Sequence, residues 1–91
     1  MVTVHRIDCT KMTDRDTLHT YLKETLELPE YYGRNLDALF DCLTELDQPT
    51  RLEISHPHCL LPLGNYAEAL MSTFQDAALE NPNLSLVYTE F

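Results

Sequence analysis

A two-layer α/β domain with three parallel strands is the fold class this sequence predicts, and three observations predict it. The apolar patterning runs strand, two helices, strand, helix, strand. Both stretches between successive strands are long enough to cross over a sheet, which makes the strands parallel and the connections right-handed. The helices are too few to cover both faces of a larger sheet, so two layers suffice.

Each element has a local reason. Val2 to Ile7 is rich in β-branched residues and reads as a short strand, ending before the polar Asp8–Cys9–Thr10 segment. Thr13, with Asp16 three residues on, marks a helix start. Leu18, Tyr21, Leu22 and Leu26 continue at helical spacing, and the helix should finish before Pro29. Tyr31–Tyr32–Gly33 is expected to turn, with Gly33 supplying a positive φ. Asn35 is a good N-cap for a second helix, whose apolar stripe is Leu36, Leu39, Phe40 and Leu43.

Gln48–Pro49–Thr50 breaks that pattern. Arg51 to Ser55 then alternates as a second strand with Leu52 and Ile54 inward. His56 to Leu63, with two prolines, is expected to be a loop or a single irregular turn. A third helix is expected from Asn65 to Glu80, with Ala67, Leu70, Met71, Phe74, Ala77 and Ala78 on one side and Asn81–Pro82 as its stop. Leu84 to Tyr88 is the last strand, and Leu84, Leu86 and Val87 give it the continuous apolar run of a covered parallel strand.

The 91 residues suit one domain spanning 1–91, because two would each be too short to bury a core. Charge is the outlier: 15 acidic side chains against 6 basic ones give a net of −9. Such a field repels nucleic acid and anionic membrane and attracts basic proteins. The three cysteines form no paired framework and suit a reducing compartment. The N-terminus has no signal-peptide pattern and no apolar run approaches a membrane span, so a cytoplasmic protein is expected.

Catalytic patterns are missing. No serine or cysteine nucleophile has a nearby base and orienting acid, and two glycines cannot build a phosphate loop. His56-x-His58-Cys59 lacks the second ligand pair that a metal site needs. Neither enzyme, metal nor cofactor is expected.

The chemistry instead concentrates between Leu26 and Leu43. On the second helix Asp37, Asp41 and Glu45 follow one another at four-residue spacing. Like charges so placed repel by roughly a few tenths of a kcal/mol per pair, and only Asp37 gains much from the positive helix N-terminus. On a helical wheel with Asp37 at zero, Thr44 falls at about −20°, Asp41 at about 40° and Phe40 at about −60°, between acidic stripe and core. The turn carrying Tyr31 and Tyr32 lies at the same end of the helix as Asp37. Aromatic rings beside carboxylates, with little basic neutralisation apart from Arg34, suit a cationic protein partner. Asp76 and Glu80 form a second acidic pair on the third helix.

Pro29–Glu30–Tyr31–Tyr32–Gly33, Asn35–Leu36–Asp37–Ala38–Leu39 and Asp41–Cys42–Leu43–Thr44 closely resemble the barstar family of ribonuclease inhibitors. The resemblance implies a sheet in order 1-2-3 with helices packed on it, and a loop and helix that plug a nuclease active site. By position, it makes Asp41 the main anchor, in the place of a substrate phosphate, and Asp37 the second carboxylate. It packs Tyr31 on the nuclease's catalytic histidine. Tyr32, Asn35, Leu36 and Thr44 match supporting positions at the interface, to which Phe40 also belongs, and Asp76 aligns with a family glutamate that contacts the enzyme. Phe40 replaces a tryptophan, a second tryptophan is absent at Glu45–Leu46, and Arg34 replaces an acidic residue. These departures imply a different cognate nuclease.

The function expected is therefore a cytoplasmic immunity protein that binds a basic extracellular or toxin ribonuclease one-to-one, touching neither nucleic acid nor membrane. Immunity against a DNase or another cationic toxin is the alternative.

Overall fold

The computed structural model describes residues 2–89. Its three strands, β1 (Thr3–Asp8), β2 (Thr50–Ser55) and β3 (Leu84–Tyr88), form one parallel sheet in the order β1-β2-β3. Between β1 and β2 lie α1 (Arg15–Thr25) and α2 (Leu36–Thr44), and between β2 and β3 lies α3 (Asn65–Glu80). Two 3₁₀ segments, Cys9–Lys11 and Pro57–Leu63, follow the first and second strands.

The register explains why one face of the sheet is covered. Rows Thr3–Thr50–Leu84, His5–Leu52–Leu86 and Ile7–Ile54–Tyr88 line up across the sheet. Thr50, Leu52, Ile54, Ile7 and Leu84 in these rows are buried. Residues alternate in side along a strand, so Val4, Arg51 and Ser85, then Arg6, Glu53 and Val87, occupy the other face. There Arg6 Nε meets a Glu53 carboxylate oxygen at 3.4 Å, and Val4 and Val87 are exposed. Leu18 and Leu22 of α1, Leu39 and Leu43 of α2, and Leu70, Phe74 and Ala77 of α3 complete the core. The side chain of Tyr21 ties α1 to the first strand, its hydroxyl accepting the Asp8 N–H at 2.8 Å.

Some boundaries differ from the sequence expectation. Asp14, not Thr13, caps α1: its carboxylate accepts the Thr17 N–H at 2.8 Å, and Asp is the stronger cap. Asp8 organises the Cys9–Lys11 turn by accepting from Thr10 N–H and hydroxyl, which holds its carboxyl below the usual range. The stretch after β2 is a seven-residue 3₁₀ helix, entered through His56 in the left-handed region (φ 54°), with Pro57 pre-set for its first turn. Val87 lies on the open face, so β3 is half covered, not covered on both sides.

A buried amide joins the end of α3 to the end of α2. Asn81, at the end of α3, donates to the carbonyls of Leu43 (2.9 Å) and Leu46 (3.0 Å) and accepts the Asn83 N–H (3.0 Å). It thereby fixes the end of α2, the helix that carries the acidic stripe. Asn81→Ala removes three bonds at once and orphans a buried carbonyl, so a loss of about 2–3 kcal/mol is expected in urea unfolding.

Candidate functional site

The loop from α1 to α2 is held by its own backbone. After α1, Leu28 N–H bonds back to the Lys23 carbonyl with Glu27 at φ 54°, a Schellman-type end with a glutamate where glycine is usual. Tyr32 N–H then bonds to the Pro29 carbonyl at 2.9 Å, closing a turn with Glu30 and Tyr31 at its tip. Gly33 serves a close approach, not φ: an added Cβ would lie 3.3 Å from both Ala38 Cβ and Asn35 Nδ2, tight enough that those neighbours would have to shift. The positive φ belongs to Arg34 (57°). Its guanidinium repays part of that strain by binding the Asp16 carbonyl (3.0 Å), the Asp16 carboxylate (2.8 Å) and the Thr20 hydroxyl (2.6 Å). Arg34 thus turns its charge towards α1.

Asn35 caps α2, its side-chain oxygen accepting the Ala38 N–H at 2.7 Å while its amide donates to the Gly33 carbonyl. The capping places Asp37 in the first turn and Asp41 one turn on, both exposed. Among the described residues neither carboxylate has a hydrogen-bond or ion-pair partner, so their acceptor capacity is directed to solvent. Leu36 and Phe40 are half-buried against the core, as is Ala38. Thr44, also half-buried, donates its hydroxyl to the Asp41 carbonyl at 3.1 Å.

The two tyrosines separate. Tyr31 is 85% exposed, whereas Tyr32 is 6% exposed and belongs to the core. Tyr32, expected in a supporting position at the interface, lies beneath the loop, and its hydroxyl lies 2.6 Å from His19 Nδ1. His19, which the sequence leaves as an isolated histidine, is 3% exposed and is also bonded through Nε2 to the Tyr66 hydroxyl at 2.5 Å. One imidazole therefore links loop, α1 and the first turn of α3. Burial, with a smaller effect from Arg34, lowers its pKa and keeps the ring neutral; Asp16 opposes this. Burial also raises the Tyr32 and Tyr66 hydroxyls.

Two clefts flank α2. One, of about 490 Å³, runs between loop and helix and brings together Pro29, Tyr31, Asp41, Cys42 and Glu45. The other, of about 460 Å³, is lined by Arg15, Asp16, Arg34, Asn35, Asp37 and Tyr66. Tyr31 and Asp41 thus share a wall, while Asp37 faces the neighbouring cleft. Asp76 is exposed on α3, which packs against α2. The Cys42 thiol, beside Asp41, is pushed up by burial and then by the nearby Glu45 and Asp41 charges, so it stays protonated.

Elsewhere, the Cys59 sulfur lies 3.6 Å from His58 Nε2. Among the described residues no three His, Cys, Asp or Glu side chains are placed to hold a metal ion. Cys9, Cys42 and Cys59 are free thiols, and burial pushes Cys9 up to about 12. Among the described residues no helix is long and apolar enough to cross a membrane.

Comparison with known proteins supplies a second line of observation. Residues 2–88 match the family model described as Barstar (barnase inhibitor). A Bacillus subtilis (strain 168) protein named "Putative ribonuclease inhibitor YrdF" is 41% identical over 76 residues, which cover 81% of this chain and 84% of that protein.

Proposed function

The chain belongs to the barstar family, and from that premise we propose that it is an immunity protein, which blocks the active site of one basic ribonuclease with carboxylates in place of substrate phosphate. The observation that carries this reading is the pairing of Asp41 with Tyr31 on one cleft, with Asp37 a turn away and no internal partner for either acid among the described residues.

A ribonuclease binds phosphate through a cluster of cationic donors. A carboxylate accepts the same charge-assisted bonds, in bidentate fashion from Arg, but offers no scissile bond. Asp41 is the anchor in this reading and Asp37 the second acceptor. Tyr31 is well suited to cover the edge of the catalytic pocket, because a tyrosine adds large contact area for little lost rotamer freedom. Leu36, Phe40 and Thr44 fill the surface around the acids, Asn35 holds the helix start, and Asp76 adds charge from α3. The net charge of −9 raises the rate of encounter with a basic enzyme, an advantage that shrinks as salt screens it.

Titration tests the reading. Increasing amounts of the chain are added to barnase and to other basic secreted ribonucleases, and residual RNA cleavage is followed. At least one enzyme should lose its activity at an equimolar point, with an association rate that falls as salt rises. Full cleavage by every enzyme at excess inhibitor contradicts the proposal.

A further inference from the structure

The cleft beside Asp37 holds a positive feature in an acidic protein. Arg6, Lys23, Arg34 and Arg51 are each paired with a carboxylate. Arg15, like Lys11, has no carboxylate partner among the described residues, but its guanidinium lies over the Tyr66 ring, 4.2 Å from the centroid. As the first residue of α1, Arg15 also sits where the helix dipole disfavours a cation. A guanidinium held over a ring uses its cation–π attraction without engaging the N–H donors of its fork, which stay available to a carboxylate. The platform is itself fixed, because the Tyr66 hydroxyl is held by the buried His19. Asn35, Leu36 and Asp37 line the same cleft, so the fork borders the face proposed to meet the nuclease.

We infer that Arg15, stacked on Tyr66, is a specificity-determining contact that receives an acidic side chain of the partner ribonuclease. The inference rests on the inhibitor reading and names a feature of its partner: a basic enzyme with an aspartate or glutamate at the rim of its active site. A free anion is a poor occupant, since Asp16, Asp37 and the overall negative field repel it. A carboxylate carried on a basic protein arrives with the attraction of the remaining surface. A nuclease presenting lysine or arginine at that position meets Arg15 instead of an acid and is rejected, which separates the cognate enzyme from related ones.

The sign of one substitution tests this. Arg15→Glu makes the inhibitor more negative, so attraction by overall charge alone would tighten its grip on a basic enzyme. A local pair with a carboxylate instead weakens it, by about tenfold or more. The inhibition constants of the wild type, Arg15→Glu, Tyr66→Phe, Tyr66→Leu and Asp41→Ala are measured against barnase and against each ribonuclease that the wild type inhibits. Arg15→Glu should weaken inhibition of the cognate enzyme. Tyr66→Phe, which keeps the aromatic platform, should retain more than Tyr66→Leu. Among Asp→Lys and Glu→Lys variants of that enzyme, one should be inhibited poorly by the wild type and well again by Arg15→Glu. If Asp41→Ala weakens inhibition while Arg15→Glu leaves it unchanged or tighter, the Arg15 contact is disproved and the inhibitor reading stands. If neither substitution matters, both fall.

Discussion

Asp41→Ala should cost about 3–5 kcal/mol of inhibition, roughly a hundred- to several-thousandfold, while leaving the free protein slightly more stable. The two signs have separate causes. In the free chain Asp41 is exposed between Asp37 and Glu45, four residues away on either side, and makes no compensating bond among the described residues. Removing it relieves repulsion of a few tenths of a kcal/mol per pair. In the proposed complex the same carboxylate would answer several buried cationic donors of the enzyme, and its loss would leave those donors desolvated without an acceptor. Asp37→Ala should weaken inhibition less, because the α2 N-terminus already offsets part of that charge and Asp37 faces the neighbouring cleft. Glu24→Ala, an exposed change on α1, should do almost nothing. Residual cleavage at equimolar inhibitor and a urea melt of each variant measure both effects. A variant series in which Glu24→Ala matches Asp41→Ala would reduce the acids of α2 to a solubilising surface.

What could be read from the chain divides by range. The order of elements, the Asn35 cap and the inward Leu52 and Ile54 follow from neighbours within a turn or two, and they are where the sequence places them. The carboxylate stripe is likewise a matter of helical spacing. The 1-2-3 strand order came from the family resemblance, since periodicity does not rank strands. Tyr31 and Tyr32 are not separable by pattern because an irregular turn has no period: adjacent identical side chains take opposite sides, and the buried one is met by distant core residues such as His19. The bonds of His19 reach 13 and 47 residues along the chain, so nothing local announces them. Its position one residue after Leu18 and three before Leu22, on the buried side of α1, was the available signal. Gly33 differs from its expectation for a similar reason: a close approach between loop and helix looks, in sequence, like a need for unusual φ.

His19 supports the second large effect, on stability and its pH dependence. A neutral imidazole has one N–H and one bare nitrogen. It therefore donates to one tyrosine oxygen and accepts from the other hydroxyl, satisfying Tyr32 and Tyr66 together. His19→Ala leaves a cavity and strands the buried Tyr32 hydroxyl, at a cost of about 3–4 kcal/mol in urea unfolding. His19→Gln can still donate and accept, and should recover part of that loss. Protonation damages the same network, since a doubly protonated ring has only donors to offer and one tyrosine must turn its O–H away. The folded pKa therefore lies below the ordinary value of 6.5, with burial the main cause and Arg34 adding to it. Between those two values the unfolded chain binds more protons than the folded one, so stability rises with pH. The contribution is fully present above the unfolded pKa and is lost as pH falls through the folded one. The wild type should thus lose stability as the pH is lowered from about 6.5, and His19→Gln should lack that component. If the two proteins share one pH profile across the window, the imidazole is not the group that holds Tyr32 in place.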